Sequence, residues 1–445
     1  MDCFSQLKLS FDFNAVFSYC IFDWPSGSLK ERVVEMKIST AGILKYLILS
    51  VLFLAFVCFL IKGYNIVDYQ KGIYKFRWSG IGALFSTDEF GLGVNKRIKL
   101  DLGGPDGPYI EGSRLYYINR SKEMEVHELE RQDRIKVYVD NEDQDSFEVE
   151  LREKYESNGE IFEMPPVLLA LSDIEGNYDA FYSLLISAGV MNEGYDWTFG
   201  IGHLVLIGDF VDRGSNVTQV LWLIYNLEGK AEKKGGRVHY LLGNHEIMNI
   251  RGRTAYIQPK YIRAYQIISG KADWDEACRH MFSCKTELGA WIRSKNTAVK
   301  VGDILFVHGG LSPGLINRGI SIPEINRLVR QNLDSDLSKN STADEMARFL
   351  FGAEGPMWYR GLVRDYQNYK RARPSEVSDI LAFYNSSGIV VGHCIVEDIS
   401  AAYEGRVVMA DLLHGRGKHT GQTKGLLIED GIFYILDDRG NRKKL

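Results

Sequence analysis

Short apolar runs recur along the second half of the chain, and each run stops at a polar string. They cover residues 167–171, 204–207, 238–242, 304–307 and 388–391. Helical spacing of apolar positions follows two of these strings, over residues 178–188 and 217–226. This repetition of strand, loop and helix predicts an α/β fold with its functional site at the strand ends. Two further runs, 425–428 and 432–436, flank an Asp-Gly turn and predict a hairpin.

Residues 63–163 have a different pattern, in which polar positions alternate with apolar or aromatic ones. Arg114–Ile118 and Arg134–Val139 show this alternation, and turn-forming strings separate such segments. The pattern predicts a small β-rich domain. An acidic stretch that ends at Met164-Pro-Pro166 predicts its boundary, with a second domain over 164–445.

A nearly uncharged apolar segment, Ile43–Ile61, precedes these regions. It has 19 residues and contains one lysine, Lys45. A helix of this length spans about 28 Å, close to the hydrocarbon thickness of a bilayer. Because no small-x-small cleavage site follows, we predict an uncleaved signal anchor over 36–62 rather than a removable signal peptide or a buried soluble helix. Residues 1–35 are predicted to be a leader, which is untranslated if translation begins at Met36.

Basic residues flank the apolar segment almost evenly, so the charge rule does not fix its orientation. Four precede the span or lie at its start and four follow it: Lys30, Arg32, Lys37, Lys45, Lys62, Lys71, Lys75 and Arg77. One apolar helix followed by the whole folded mass is typical of a signal anchor. We therefore predict a single-pass membrane protein with an extracytoplasmic, periplasmic catalytic domain.

Composition narrows the range of partners. The chain has 445 residues, 25% of them charged, and a formal net charge of −5. This length accommodates several domains, and this charge gives no basic surface for nucleic acid, which is excluded as a partner. The six cysteines show no Cys-x-x-Cys pair and leave the redox compartment undecided.

Three of the polar strings carry candidate chemistry. They are Ile207-Gly-Asp-Phe-Val-Asp-Arg-Gly214, Leu242-Gly-Asn-His-Glu246 and Phe306-Val-His-Gly-Gly-Leu-Ser-Pro313. Each places a residue of a metal-binding type just after an apolar run, where a strand holds it rigidly. Asp209 is suited to bridge two divalent cations, which together generate a hydroxide able to attack phosphorus. The strings therefore predict a binuclear site for phosphate-ester hydrolysis.

With Ser172-Asp-Ile-Glu-Gly-Asn177 and Gly392-His393, these strings resemble the calcineurin-like metallophosphoesterases across roughly residues 165–440. Within that family the chain is similar to the serine/threonine phosphoprotein phosphatases. Two longer strings, which end at Asn249 and at Gly361, resemble the Shewanella-like bacterial-type branch. The resemblance implies a β-sandwich flanked by helices.

The resemblance also assigns roles to individual residues. It implies that Asp173 and position 175 complete one metal, while Asn244, His308 and His393 complete the other. His245 would protonate the leaving oxygen, and Asp212 would orient the ring of His245. Arg213 and Arg360 would bind the phosphoryl oxygens with their paired donors.

Position 175 departs from the family pattern. The usual Asp-x-His string is here Asp173-Ile174-Glu175, so a glutamate replaces the histidine. A carboxylate favours harder ions, so manganese is predicted as the metal, with magnesium, iron and zinc as alternatives. Three functions stay open. We predict a protein phosphatase; the alternatives are an esterase for small or lipid-linked phosphates and a phosphate-binding module with a weakened site. The oligomeric state is not predicted.

Overall fold

The protein is described here by a computed structural model, which covers residues 16–20, 33–37, 40–61, 63–68, 73–78, 94–97, 100–129, 134–155, 159–337, 345–367 and 369–445. The chain forms two compact units. The first contains residues 1–68 and 72–98, and the second contains 69–71 and 99–445. Each unit is described by itself.

The first unit contains the predicted leader and anchor. Its elements are β1 (Val16–Cys20), β2 (Val33–Lys37), α1 (Thr40–Ile61), β3 (Gly63–Asp68), β4 (Ile73–Trp78) and β5 (Val94–Arg97). β1 pairs with β2, and β3, β4 and β5 form an antiparallel sheet. Within the part of the chain that the structure describes, no helix is long and apolar enough to cross a membrane. The anchor predicted over 36–62 is therefore not supported.

The second unit begins with a group of short strands. They are β6 (Asp106–Glu111), β7 (Arg114–Ile118), β8 (Met124–Glu128), β9 (Arg134–Tyr138) and β10 (Ser146–Glu150). β6, β7 and β8 form one sheet and β9 pairs with β10. These strands share a compact unit with the residues that follow, and the boundary predicted after residue 163 lies inside that unit.

Two six-stranded sheets form the centre of the second unit. Their strands are β11 (Ile161–Phe162), β12 (Val167–Leu171), β13 (His203–Leu206), β14 (Arg237–Tyr240), β15 (Ala298–Val301), β16 (Ile304–Val307), β17 (Gly388–Val391), β18 (Ser400–Ala402), β19 (Val407–Met409), β20 (Lys424–Glu429), β21 (Ile432–Asp437) and β22 (Arg442–Lys444). The first sheet has the order β14-β13-β12-β20-β21-β22 and the second the order β11-β15-β16-β17-β19-β18. The predicted terminal hairpin is confirmed as β20 and β21.

One apolar core joins the two sheets. Leu168 and Val205 from the first sheet belong to the same buried cluster as Phe306 and Val390 from the second. Alternate residues of β12, β15, β16 and β20 enter this core, as the period of two in a strand requires. The predicted sandwich of two sheets is therefore present.

Helices surround the sandwich. They are α2 (Tyr178–Ser187), α3 (Val217–Lys233), α4 (Asn244–Ile250), α5 (Pro259–Ser269), α6 (Trp274–Met281), α7 (Glu287–Arg293), α8 (Pro313–Asn317), α9 (Ile322–Gln331), α10 (Glu345–Leu350) and α11 (Pro374–Phe383). α2 and α3 follow β12 and β13, as the sequence pattern predicts. α3 extends to Lys233, with Lys230 and Lys233 in its last turn, where positive charge is favourable.

Candidate metal centre

Parallel strands in both sheets point their carboxyl ends at the site. β12, β13 and β14 are mutually parallel in one sheet, and β16, β17 and β19 in the other. The loops after these strands contain most of the predicted site residues. Several of these residues have a positive φ, including Asp173 at 56°, Asp209 at 59° and His393 at 63°. Such backbone is costly for residues other than glycine, and it is typical of functional loops that their surroundings hold in place.

Three predicted ligands form a buried cluster. The ligand atoms of Asp209, His308 and His393 lie within 4.8 Å of one another. Asn244 joins them, because its Oδ1 lies 2.9 Å from His308 Nε2. His308 Nδ1 donates to the carbonyl of Ile207 at 2.8 Å, which leaves Nε2 free to face the cluster as a ligand.

The cluster fits a divalent cation. His393 Nε2 is buried, and among the described residues it has no hydrogen-bond partner. The rings of His308 and His393 lie 4.9 Å apart. An enclosed nitrogen lone pair is costly without a partner, and imidazole with carboxylate is a usual donor set for first-row divalent metals. Asp209, Asn244, His308 and His393 would hold such an ion.

Asp173 and Glu175 differ in their surroundings. Asp173 Oδ2 accepts a hydrogen bond from the backbone N–H of His393 at 3.2 Å, so Asp173 borders the cluster. Glu175 forms an ion pair with Arg213. Both residues therefore lie at the site, and the role of Glu175 as a metal ligand stays a prediction.

Buried charge dominates the electrostatics of the cluster. Burial raises the pKa of Asp173 to about 6, and the charge of Asp209 adds to the effect. Burial lowers the pKa of His308, but Asp209 and Asp173 outweigh burial and raise that pKa to about 10. Burial raises the pKa of Asp209, but His308 and His245 outweigh burial and keep that pKa below its ordinary value. A metal cation that replaces the proton of His308 would balance the negative charge of the same carboxylates, Asp209 and Asp173.

A histidine and an aspartate form the predicted proton-transfer pair. His245 Nδ1 lies 2.6 Å from Asp212 Oδ2, and Asn249 Nδ2 donates to Asp212 Oδ1 at 2.9 Å. His245 Nε2 faces the cluster, 3.8 Å from Asp209 Oδ2. Burial lowers the pKa of His245, but Asp209 and Asp212 outweigh it and raise that pKa. The protonated ring can therefore act as a general acid.

The two predicted arginines border the site. The Arg213 guanidinium lies 5.0 Å from the ring centroid of Tyr256. Arg360 lies 4.5 Å from the ring centroid of Tyr366, and its buried Nε has no hydrogen-bond partner within the described part of the chain. After burial and His308, the charge of Arg360 is a further cause of the lowered pKa of His393, which places Arg360 near the cluster.

Sequence reasoning missed three site residues. Glu246 accepts hydrogen bonds from the backbone N–H groups of Asp209, Phe210 and Gly243 at 2.8–2.9 Å, and its signal was its place in the string that ends there. Tyr256 packs on His245 with ring centroids 4.9 Å apart. Asp411 is buried beside the cluster. For Tyr256 and Asp411 no local motif was available.

Two parallel sheet edges that converge on a cluster of candidate metal ligands, with a His–Asp pair and two arginines beside it, define the metallophosphoesterase class. The profile described as calcineurin-like phosphoesterase matches residues 166–396, more than half of the chain. The chain belongs to this family.

Relatives of the chain include phosphatases. It is 31% identical to an uncharacterized protein of Schizosaccharomyces pombe over 56% of this chain and 73% of the relative. It is 28% identical to Shewanella-like protein phosphatase 1 of Plasmodium berghei over 51% of this chain, and it covers 60% of that relative. With Shewanella-like protein phosphatase 2 of Arabidopsis thaliana the identity is 29% over 38% of this chain and 52% of the relative.

A solved structure agrees with this placement. The cold-active protein-tyrosine phosphatase of a psychrophilic Shewanella species matches with a TM-score of 0.65 and 30% identity, over 77% of this chain and 98% of that one. The resemblance to the Shewanella-like branch is therefore confirmed. The chain is a metal-dependent phosphoesterase hydrolase.

Proposed function

We propose that this protein is a phosphoprotein phosphatase that uses two divalent metal ions, with manganese as the preferred metal. The observation that carries the proposal is the convergence of the ligand cluster Asp209, His308 and His393 with the His245–Asp212 pair. The names of two relatives as protein phosphatases support the substrate class. The two-metal mechanism predicted from the sequence is retained here.

The protein's own groups divide the work of hydrolysis. Bound divalent ions would polarise the phosphoryl group and lower the pKa of a water molecule. His245 donates a proton to the leaving oxygen, and Asp212 with Asn249 holds the ring for that transfer. Arg213 and Arg360 bind phosphoryl oxygens and offset the charge that develops in the transition state.

Phosphotyrosine is the proposed substrate among phosphorylated residues. The Shewanella neighbour is described as a protein-tyrosine phosphatase. Tyr256, which is 47% exposed, places an aromatic face beside both His245 and Arg213. An aromatic wall next to the phosphate-binding arginine favours an aromatic leaving group, because two rings gain from stacking. This proposal departs from the phosphoserine and phosphothreonine substrates that the resemblance to the serine/threonine group implies.

The alternative functions predicted from the sequence have weaker support. A binding module without turnover does not need an aligned proton donor, whereas Asp212 holds the ring of His245 and is itself held by Asn249. A small or lipid-linked phosphate ester stays the second substrate class. The extracytoplasmic location stays a prediction, which cell fractionation would test.

The first experiment measures turnover. The purified full chain is assayed on p-nitrophenyl phosphate with manganese, magnesium, zinc or a chelator, beside Asp209→Asn and the exposed control Asp379→Asn. We expect turnover with manganese that is lost with the chelator and in Asp209→Asn, but kept in the control. Folded protein without turnover in any metal would indicate a binding module.

The second experiment identifies the substrate class. Phosphotyrosine, phosphoserine and phosphothreonine peptides are compared with a nucleoside monophosphate and phosphatidate. We expect the highest kcat/KM for phosphotyrosine. A preference for the nucleotide or the lipid would replace the protein substrate with a small or lipid-linked ester.

A further inference from the structure

Each of the six parallel strands that point at the site is followed by one polar residue. In the first sheet, β12, β13 and β14 lead to Asp173, Asp209 and Asn244. In the second sheet, β16 and β17 lead to His308 and His393. The remaining strand, β19, ends at Met409 and leads to Asp411. Five of these residues are among the six predicted ligands, and Asp411 follows the sixth strand.

The register places Asp411 beside His393. In the parallel pair β17 and β19, Val391 is opposite Met409, and each lies two residues before His393 or Asp411. The pairing continues beyond the strands, because the N–H of Ala410 donates to the carbonyl of Val391 at 2.8 Å. The N–H of Val396 then donates to the carbonyl of Asp411 at 2.9 Å. The two loops therefore leave the sheet together.

Asp411 is a buried acid to whose side chain the described residues provide no hydrogen bond. The residue is 3% exposed. No hydrogen bond or ion pair reaches its side chain from any residue that the structure describes, and the ionisable groups that act on it are Asp173, His308, Asp209 and Arg213. Arg213 is already paired with Glu175. A buried carboxylate within the electrostatic reach of two other carboxylates, Asp173 and Asp209, is ionised only at a cost unless a cation accompanies it.

Another buried acid in this region, Glu246, does receive hydrogen bonds, so the lack of hydrogen-bond donors distinguishes Asp411 from it. Glu246 has no exposed surface and lies in the same region. It accepts three backbone hydrogen bonds and a fourth, at 2.9 Å, from the hydroxyl of Tyr240. Hydrogen-bond donors of the protein thus satisfy the carboxylate of Glu246. Among the described residues, no such donor reaches the carboxylate of Asp411. The difference is expected if Asp411 faces a bound ion.

We propose that Asp411 is a further carboxylate of the metal centre and contributes to binding the cation on the Asp173 side, where Arg213 engages Glu175. The proposal rests on the proposed metal-dependent function. It places an additional carboxylate ligand, Asp411, just after the carboxyl end of β19 in the second sheet.

The test is manganese binding by the full chain, measured by calorimetry and by metal content after gel filtration. Asp411→Asn removes the charge, and Asp411→Leu also removes the ligand oxygens. Asp438→Asn is the matched control, because Asp438 is equally buried but accepts hydrogen bonds from Thr420 and Gly421. In both Asp411 variants, we expect the manganese affinity to fall at least tenfold or one bound ion to be lost. Asp438→Asn should bind manganese as the unsubstituted protein does.

Thermal unfolding separates a metal role from a structural one. In chelator, the Asp411 variants should melt at or above the temperature of the unsubstituted protein, since they remove a buried carboxyl group that receives no hydrogen bond from the described residues. They should lose most of the rise in Tm that manganese produces. Asp438→Asn should melt lower in chelator and keep that rise.

The outcomes distinguish this inference from the proposed function. Unsubstituted protein that binds manganese while both Asp411 variants bind it equally well would overturn the inference alone. A lower Tm in chelator with an unchanged manganese response would assign Asp411 a structural role and overturn it too. Unsubstituted protein that binds no divalent metal would overturn both proposals.

Discussion

His245 shows how neighbouring residues define the chemistry of a single side chain. Its Nδ1 is held by Asp212 and its backbone N–H donates to Asp209 Oδ1 at 2.8 Å. One aspartate therefore orients the ring, while the other couples the same residue to the metal cluster. In the proposed mechanism, Asp209 would link proton donation by His245 to metal binding.

The acid role of His245 predicts a dependence on the leaving group. His245→Asn should lower kcat by about 10²–10⁴ on phenyl phosphate. The loss should be much smaller on p-nitrophenyl phosphate, because that leaving oxygen needs little protonation. Steady-state kinetics on both esters measure the difference, with Asp379→Asn as the control. Equal losses on the two esters would exclude proton donation as the role of His245.

Glu175 predicts the metal preference. Glu175→His restores the imidazole usual in the family and replaces a hard donor with a softer one. We expect turnover to continue and the ratio of activity with zinc to activity with manganese to rise several-fold. Glu175→Gln is the control for loss of the Arg213 ion pair. An unchanged ratio in Glu175→His would place Glu175 outside the metal's coordination.

At the scale of elements, strand ends and helix starts are coupled by buried polar groups. Glu246 lies in the first turn of α4 and accepts hydrogen bonds from the loop that follows β13. The loop that contains Asp209 is thereby fixed to the helix that contains His245. A second buried polar pair joins the strands themselves, because His203 Nδ1 on β13 lies 3.1 Å from His239 Nε2 on β14.

This histidine pair predicts a loss of stability in acid. Burial lowers the pKa of His203 to about 4 and lowers that of His239 well below its ordinary value. The unfolded chain, with a pKa near 6.5, then binds more protons than the folded one, so stability falls as pH falls from about 6.5 towards about 4. The expected loss is about 1–3 kcal/mol.

Urea unfolding at pH 7.5 and pH 5 measures this loss. The double variant His203→Gln with His239→Gln should show a smaller difference between the two pH values. His127→Gln is the control, because His127 is exposed and should leave the difference unchanged. An equal difference in the double variant would mean that other groups cause the acid sensitivity.

At the scale of the whole molecule, the strands of residues 106–150 complete the packing of α3. Trp222 is fully buried, and its Nε1 donates to the carbonyl of Pro108 at 2.8 Å. Gln219 Nε2 donates to the carbonyl of Tyr138 at 3.0 Å. The face of α3 away from the sandwich is therefore covered by the segment that precedes it in sequence.

The packing of α3 predicts how the chain can be shortened. A fragment of residues 99–445 should unfold cooperatively. A fragment of residues 164–445, cut at the boundary predicted from the sequence, should melt at least about 10 °C lower or be insoluble, because the face around Trp222 is exposed. Calorimetry of the two fragments beside the full chain measures this. Equal melting temperatures would support the boundary predicted after residue 163.

Local pattern was sufficient to predict several elements and to select candidate ligands. An apolar run marks a buried strand, and the polar residue after it, as with Asp209 and His308, lies at the strand end whatever its neighbours are. The terminal hairpin was predictable for the same reason, since its turn joins adjacent segments. The resemblance extended this to Asp173 and His393.

Other features depend on contacts between distant segments, which no local pattern specifies. The pairing of β17 with β19 places Asp411 beside His393, and loop packing places Tyr256 on His245. The ion pair of Glu175 with Arg213 and the cover over α3 arise in the same way. The sequence by itself determined the residue types at the strand ends, because alternation and turn chemistry are local. Only the tertiary structure decided which of them share a site, because sheet register and packing bring together residues far apart in the chain.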